Sequence, residues 1–355
     1  MSIEAWVGTS LLGAAAAWPA AVATVYAADT GADEIHYATT ADGLSLSLSR
    51  YRASPSAPRR RAPVLLVPGL AANRYGFDIG ASVSLARRMR ALGYDTYVVE
   101  LRGAGLSDTP LGRSWTVDTH LELDLPAAIA RVLELSGAES LHWIGHSMGG
   151  VFGYALLATR PELPVRSCTV IGASLDYSRS TTDFHLIAKA LPIGHFVRWL
   201  PLGAFSALGA PFAVRSARGT VLDLFNVWPP NVSRPTYRRL SALAFEGVPT
   251  ALLVQLASAI TGGGMLSADG QVNYYESLAT FRTPLLSICG DRDRQCPIDA
   301  AEDTFERVGS PDRTLLRLGP EHGTQEHYAH WDMHVGLRAP TEVWPHIESF
   351  LARQD

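Results

Sequence analysis

Gly145-His146-Ser147-Met148-Gly149 is a G-x-S-x-G pentapeptide that follows an apolar run, residues 141–144, and precedes a stretch with helical character, residues 150–157. This order predicts a strand, a sharp turn and a helix, with Ser147 at the turn. Glycines two positions before and after the serine allow the backbone to pack closely there. The turn would lift the serine hydroxyl clear of a sheet and aim the Met148 amide at a developing oxyanion.

A second feature lies upstream of this pentapeptide. Residues 62–70, Ala-Pro-Val-Leu-Leu-Val-Pro-Gly-Leu, are typical of a buried strand that ends in Pro68-Gly69. The loop after such a strand can supply a second oxyanion amide, and Leu70 is the expected donor through its backbone N–H. An ordinary exit from a strand into a loop would have the same pattern.

A third feature is a pair of aspartates downstream. Residues 284–290 are typical of another strand, and Asp291 and Asp293 follow it. A carboxylate just past the carboxyl end of a strand can reach a histidine across the top of the sheet. Asp291 could instead cap the turn, which is the common role of Asp after Gly.

Histidines are concentrated near the C-terminus. A predicted final strand, residues 313–319, is followed by four histidines in one expected loop, before a predicted last helix around residues 343–351. We expect His330 to be a catalytic base, with His322 and His327 as alternatives. Such a cluster could also hold a metal, and a nearby cysteine pair or a His-x-x-x-His helix would support that, but this stretch is loop-like, so no metal and no cofactor are expected. The four histidines are His322, His327, His330 and His334.

Ser147, Asp293 and His330 occur in the chain order of the α/β-hydrolase fold. Residues 290–297 resemble the G-x-x-D-x-x-x-P acid loop of that superfamily, which places the acid at Asp293, and residues 100–107 resemble its R-G-x-G-x-S loop. Residues 328–333 and 339–345 resemble the histidine region of acid lipases and polyhydroxyalkanoate synthases, where the histidine stands at the position of His330. The chain therefore resembles an α/β-hydrolase over residues 35–353.

The resemblance implies a serine esterase or lipase-like enzyme that cleaves a carboxylic ester with an apolar acyl group through an acyl-enzyme. The synthases use a cysteine nucleophile, so Ser147 departs from their pattern and favours hydrolysis. Acyl transfer to an acceptor other than water, as in acyltransferases and thioesterases, uses the same three side chains. A non-catalytic binding protein on the same scaffold is the remaining alternative.

Composition limits the class of protein. The chain has 355 residues, of which 47% are hydrophobic and 18% charged, as expected for a large buried core. A net charge of −4 argues against a nucleic-acid partner. The three cysteines predict no disulfide framework, and Cys168 and Cys289, in presumed buried strands, are expected to be inert core thiols.

The N-terminal segment, residues 1–33, contains an uncharged run from Ala5 to Ala28 that is long enough to cross a bilayer. It is compatible with a signal peptide, a membrane anchor or a helix packed on the domain, and is only weakly hydrophobic because it is rich in alanine. Membrane association or export is slightly favoured over a cytoplasmic location.

The remaining chain divides into a core and an insertion. Residues 34–40 and 44–52 predict a hairpin around Asp42-Gly43. Alternating strands and helices then predict a mostly parallel central sheet flanked by helices, built from residues 34–174 and 282–355. Residues 175–281 show no clear strand and predict a helical cap. Its aromatic residues are expected to form mainly the core of the cap, with some lining an acyl pocket: Phe184, Phe196, Trp199, Phe205, Phe212, Phe225 and Trp228.

Overall fold

A computed structural model describes residues 21–22, 24–185, 197–216 and 218–355. Its strands are β1 Glu34–Thr39, β2 Ser45–Tyr51, β3 Val64–Val67, β4 Thr96–Val99, β5 Leu141–His146, β6 Val165–Ile171, β7 Trp199–Leu200, β8 Val248–Pro249, β9 Leu285–Gly290 and β10 Arg313–Leu318. Eight of them form one sheet in the order β1-β2-β4-β3-β5-β6-β9-β10.

The helices lie between these strands and after the last one. They are α1 Leu85–Ala91, α2 Leu125–Ser136, α3 Met148–Thr159, α4 Leu202–Gly209, α5 Val221–Asn226, α6 Arg234–Leu243, α7 Thr250–Thr261, α8 Ile298–Arg307, α9 Asp332–Val335, α10 Ala339–Glu342 and α11 Trp344–Gln354. A helical turn, Val117–Thr119, and a π-helical segment, His120–Asp124, lead directly into α2.

The sheet is mostly parallel, as predicted. Strands β1 and β2 form the expected antiparallel hairpin, in which Thr39 pairs with Ser45 around Asp42-Gly43, and β2 is also antiparallel to β4. All other neighbours in the large sheet are parallel. Strand β3 lies between β4 and β5, so the connections turn in opposite directions on its two sides. The carboxyl ends of strands at such a switch point form a crevice suited to a ligand.

Alternate residues of the central strands enter two hydrophobic cores. Leu65 and Val67 of β3 pack with residues of α2 and α3 on one face of the sheet. Val64 and Leu66 pack with residues of α1 and α11 on the other face. Because side chains alternate along a strand and both faces are covered, the strand is a continuous apolar run.

The segment between β6 and β9 contains α4 to α7, together with the antiparallel pair β7 and β8. The expectation of no strand in residues 175–281 is wrong at this pair, since two-residue strands are too short to show alternation. Phe184 and Phe225 pack against each other, as expected, whereas Phe205 and Phe212 are largely exposed and Trp199 packs on Trp115 outside the segment. Phe196 lies outside the described residues.

The N-terminal run lies mostly outside the described residues. In its described part, Val22 is buried against Ala207 and Ala210 of the cap, with Tyr26 and Ala242 alongside. Within the described ranges, no helix is both long enough and apolar enough to cross a membrane.

Helix α3 packs against the sheet at van der Waals contact. A Cβ atom added to Gly149 would lie 2.1 Å from the carbonyl oxygen of Val67, and one added to Gly145 would lie 2.1 Å from the carbonyl oxygen of Gly149. Both neighbours are backbone atoms that cannot rotate away. The two glycines therefore set how closely β3, β5 and α3 approach one another.

Gly149→Ala is expected to lower the free energy of unfolding by about 1–3 kcal/mol or more, because the added methyl group forces backbone apart. Gly112→Ala is the matched control, since nothing lies within 4 Å of its added Cβ. Urea unfolding of both variants measures the difference. Equal stability of the two variants would contradict the packing described here.

Burial lowers the pKa of three histidines, His142, His146 and His334. Burial lowers the pKa of His142 in β5 to about 4, although the carboxylate of Asp355 opposes this, and lowers the pKa of His334 in α9 to about 3. Burial, with the nearby His334 and His330, also lowers the pKa of His146 well below its usual range. All three rings are therefore neutral in the folded chain near pH 7.

Because these histidines are neutral in the folded chain, we expect the protein to lose stability in acid. Below the ordinary pKa of 6.5 the unfolded chain binds protons that the folded chain excludes, so the free energy of unfolding falls as the pH drops toward the folded values. Each such histidine accounts for a loss of about 1.4 kcal/mol between about pH 7.5 and pH 5.5.

His334→Phe should therefore lose about 1.4 kcal/mol less than the wild type over that interval, as measured by urea unfolding at the two pH values. His322→Gln, at an exposed position, should keep the wild-type difference. The same decline in His334→Phe as in the wild type would show that His334 does not titrate as described.

Candidate active site

Ser147 occupies the turn between β5 and α3 in a backbone conformation that side-chain-bearing residues rarely adopt, with φ 53° and ψ −120°. Its N–H donates to the carbonyl of Ile171 at 2.8 Å, and its carbonyl accepts from Gly150 and Val151 at 2.8 and 3.0 Å. These bonds hold the strained backbone in place. The side chain is partly exposed at the carboxyl end of β5, as the sequence predicted for a nucleophile turn.

Asp293 and His330 form a buried pair. Asp293 Oδ2 lies 2.8 Å from His330 Nδ1, and Asp293 Oδ1 accepts from the N–H groups of Gln295 and Cys296 at 2.8 and 2.9 Å. Both carboxylate oxygens are thus engaged, which fixes the plane of the carboxyl group. The carboxylate keeps the ring proton on Nδ1 and leaves Nε2 free to accept a proton.

This pair lies beside the serine turn. The rings of His330 and His146, the residue before Ser147, have centroids 4.6 Å apart, and His146 Nε2 donates to the His330 carbonyl at 3.1 Å. A Cβ added to Gly172 would lie 3.2 Å from His330 Nδ1 and 3.1 Å from Asp293 Oδ2. The structure therefore brings the three predicted side chains to the carboxyl ends of β5, β6 and β9.

The alternative acid and bases lie elsewhere. Asp291 is hydrogen bonded to His327 Nδ1 and also accepts from the Tyr328 N–H, and both side chains of the pair are partly exposed. His322 lies in an exposed 3₁₀ turn, Pro320–His322. The expected single loop of histidines is wrong for His334, which lies in α9 and donates from Nε2 to the Gly76 carbonyl at 3.1 Å. Each aspartate thus has its own histidine.

The two predicted oxyanion donors flank Ser147. Met148 is the first residue of α3, so its N–H points out of the positive end of the helix. A Cβ on Gly69 would lie 3.0 Å from Ser147 Cβ, which places the Gly69-Leu70 backbone against the serine. Among described residues, no protein group accepts a hydrogen bond from either N–H. Both N–H groups therefore lie unpaired beside Ser147 in the described part of the chain.

The loop that carries Leu70 is held by the cap. Ala71, the next residue, has φ 58°, and its carbonyl accepts from the Glu246 N–H at 2.6 Å. Asn73 donates from its N–H to Ala244 and from its side chain to Leu243, at 3.0 and 2.7 Å. The cap thus holds this strained loop through residues about 170 positions away, a contact that no motif in the sequence indicated.

Glu246 joins three segments at this point. Its Oε1 accepts from Asn73 Nδ2 at 3.0 Å and from the Gly105 N–H at 3.2 Å. Burial raises the pKa of the Glu246 carboxyl, while the hydrogen bond from Asn73 opposes the shift. On the other side of the loop, the Arg74 guanidinium donates to the buried Glu100 carboxylate at 2.9 Å. Side chains from the cap and from the loop after β4 therefore together hold the loop that carries Leu70.

The cap also holds the histidine loop. Trp331 N–H donates to the Asn226 carbonyl at 2.9 Å, and Asp332 accepts from the N–H groups of Trp228 and Ala329 at 3.0 and 3.1 Å. Burial raises the pKa of the Asp332 carboxyl to about 7, although these hydrogen bonds oppose the shift. Asp332 was not identified from the sequence, where it is one more acidic residue beside the histidines.

Within the described residues, the three cysteines are free thiols and no side chains are grouped to bind a metal ion. Cys168, Cys289 and Cys296 are buried and unpaired, and burial raises the pKa of each thiol. In the described part of the chain, no three His, Cys, Asp or Glu side chains are grouped so that they could hold a metal ion.

Parts of this chain are similar in sequence to known lipases. Lipase 1 of Drosophila melanogaster is 35% identical over 172 residues, which are 45% of this chain and 37% of that protein. The triacylglycerol lipase of Pseudarthrobacter phenanthrenivorans is 33% identical over 135 residues, which are 38% of this chain and 40% of that protein. The chain thus spans less than half the length of these curated relatives.

Solved structures match over more of the chain. A membrane phospholipase A described as a bacterial virulence factor superposes with a TM-score of 0.56 at 20% identity, covering 99% of this chain and 96% of that one. The monoacylglycerol lipase of Paleococcus ferrophilus superposes with a TM-score of 0.59 at 18% identity, covering 87% of this chain and 99% of that one. These identities establish likeness of fold only.

A family model described as alpha/beta hydrolase fold matches residues 62–325, a span that includes β3, the turn of Ser147 and the loop of Asp293. Because this match covers most of the chain and the sheet order agrees with it, the chain belongs to the α/β-hydrolase family.

Proposed function

We propose that this protein is a serine hydrolase that cleaves carboxylic esters with apolar acyl groups through an acyl-enzyme. The observation that carries the proposal is the buried Asp293–His330 pair beside the strained turn of Ser147. Serine is a weak nucleophile near neutral pH and needs a base of this kind to accept its proton. The lipase names of the matched relatives support an ester with an apolar acyl chain.

In this mechanism His330 Nε2 accepts the proton of the Ser147 hydroxyl as Oγ attacks the ester carbonyl. Asp293 holds the imidazole by Nδ1 and stabilises its charged form. The N–H groups of Met148 and Leu70 stabilise the tetrahedral oxyanion, and loss of one such donor typically costs about 3–4 kcal/mol of transition-state stabilisation. His330 then protonates the leaving alcohol, and a water deprotonated by the same ring releases the acyl group from Ser147.

Ser147→Ala is expected to lower kcat for p-nitrophenyl butyrate by about 10³-fold or more, because no other hydroxyl occupies the turn. Alanine and serine both carry the Cβ atom that strains a positive φ, so the thermal midpoint should stay near that of the wild type. Ser56→Ala, at an exposed position, should keep full activity. Turnover by folded Ser147→Ala at the wild-type rate would overturn the assignment of the nucleophile.

Asp293→Asn is expected to lower kcat by about 10⁴-fold. The amide oxygen would stay on the N–H groups of Gln295 and Cys296, so the NH₂ group would face His330 Nδ1 and move the ring proton to Nε2. That tautomer cannot accept the serine proton.

Asp291→Asn is the matched control for this substitution, since Asp291 pairs with His327 instead. It should keep kcat within about tenfold of the wild type. Equal losses in the two variants, measured with the same ester, would contradict the assignment of Asp293 as the acid.

A further inference from the structure

One part of the cap, residues 184–245, has a charge opposite to that of the rest of the chain. Residues 184–245 contain seven Lys and Arg residues but a single acidic residue, Asp223, for a net charge of +6. The remaining residues carry a net charge of −10. Asp223 is buried and accepts from the N–H groups of Val214 and Thr220. Within the described part of this segment, no acidic side chain is exposed to solvent.

The same segment exposes large apolar side chains. Phe205 and Leu208 of α4 and Phe212 of the following turn, Ala210–Phe212, are 62%, 40% and 53% exposed. Their spacing of three and four residues places them along one side of the helix. Val221 and Leu222, at the start of α5, are 73% and 76% exposed. A soluble domain seldom leaves so many large apolar residues uncovered in one segment unless they meet a partner.

Arginines lie next to these apolar side chains. The Arg215 guanidinium lies 5.1 Å from the ring centroid of Phe212. Arg234 donates to the Arg215 carbonyl at 3.3 Å, and Arg238 donates to the Ala213 carbonyl at 3.2 Å, so two further arginines meet this turn from α6. Exposed apolar side chains bordered by arginines are the chemistry of a surface that lies in the interface of an anionic bilayer.

The uncharged N-terminal run reaches the same helix. Val22, within the run from Ala5 to Ala28, packs on Ala207 and Ala210. These two alanines are the buried residues of α4 and the turn that follows it, whereas Phe205, Leu208 and Phe212 are exposed. An uncharged chain segment and an exposed apolar helix side are therefore neighbours.

We propose that the cap docks on an anionic phospholipid surface through a cap face made of Phe205, Leu208, Phe212, Val221 and Leu222 with Arg215, Arg218 and Arg234, all of which are exposed. The apolar side chains enter the boundary between headgroups and acyl chains, and the guanidinium groups bind lipid phosphates. A nucleic acid would satisfy the arginines but would leave the aliphatic side chains without an apolar partner. The inference goes beyond ester hydrolysis and does not depend on it, because it concerns binding alone.

The test is co-sedimentation of the full chain with vesicles of phosphatidylcholine, alone or with about 30 mol% phosphatidylglycerol. All proteins carry Ser147→Ala so that no lipid is hydrolysed. Binding to the anionic vesicles should exceed binding to the neutral ones by about tenfold and should fall as NaCl rises from about 0.05 to 0.5 M. Absence of binding to anionic vesicles, or equal binding to both, would overturn the proposal.

Two sets of variants assign the binding to the cap face. Phe205→Ser with Leu208→Ser removes apolar side chains, and Arg215→Gln with Arg218→Gln removes charge; each pair should weaken binding by about tenfold. Matched controls are Ile35→Ser with Tyr37→Ser, exposed on β1, and Arg59→Gln with Arg61→Gln, also exposed. The controls should bind as the parent does. Undiminished binding by both cap variants would overturn the proposal, whatever other segment then holds the vesicle.

Two further measurements separate this inference from its rivals. With Ser147 restored, the cap variants should hydrolyse the soluble ester p-nitrophenyl butyrate at the rate of the wild type, so that loss of docking and loss of chemistry are distinguishable. A single-stranded oligonucleotide should not compete with anionic vesicles. Competition by the oligonucleotide, together with undiminished vesicle binding in Phe205→Ser/Leu208→Ser, would identify a nucleic-acid surface in place of a lipid one.

Discussion

The backbone of Ser147 is the constraint on which the candidate site depends. A residue with a side chain at φ 53° is stable only where its surroundings hold it, and here β6 supplies the Ile171 carbonyl while the first turn of α3 donates to the serine carbonyl. The approach of α3 to β3 requires that Gly149 have no side chain. Strands β3, β5 and β6 and helix α3 therefore together fix the position of Ser147.

The insertion between β6 and β9 also contacts the loops of the candidate site. Its segment from Leu243 to Glu246 holds the loop of Leu70, and its segment from Phe225 to Asn231 holds the loops of Asp293 and His330. The same insertion thus contacts both the loop that carries Leu70 and the loops that carry Asp293 and His330. The cap face lies on that insertion. The segment proposed to bind lipid therefore also contacts the loops that carry the proposed catalytic groups.

The pairing of acids and histidines illustrates how burial separates similar residues. Asp291 and Asp293 are two positions apart, and each lies next to a histidine, but only the Asp293–His330 pair is buried. The Asp291–His327 pair is partly exposed, where water weakens its electrostatic effect. The acid-loop resemblance named Asp293 from spacing alone, and no feature of the sequence indicated that Asp291 has a histidine of its own.

The sequence by itself determined the features that depend on near neighbours: the hairpin at Asp42-Gly43, the apolar run of β3, the glycines around Ser147, and the order of strands and helices that makes the sheet mostly parallel. Only the tertiary structure decided which histidine pairs with which aspartate, that Glu246 and Asn73 hold the loop of Leu70, and that Phe205 and Phe212 are exposed. The physical reason is that periodicity and turn chemistry act over a few residues, whereas these hydrogen bonds and exposures depend on segments brought together from distant parts of the chain.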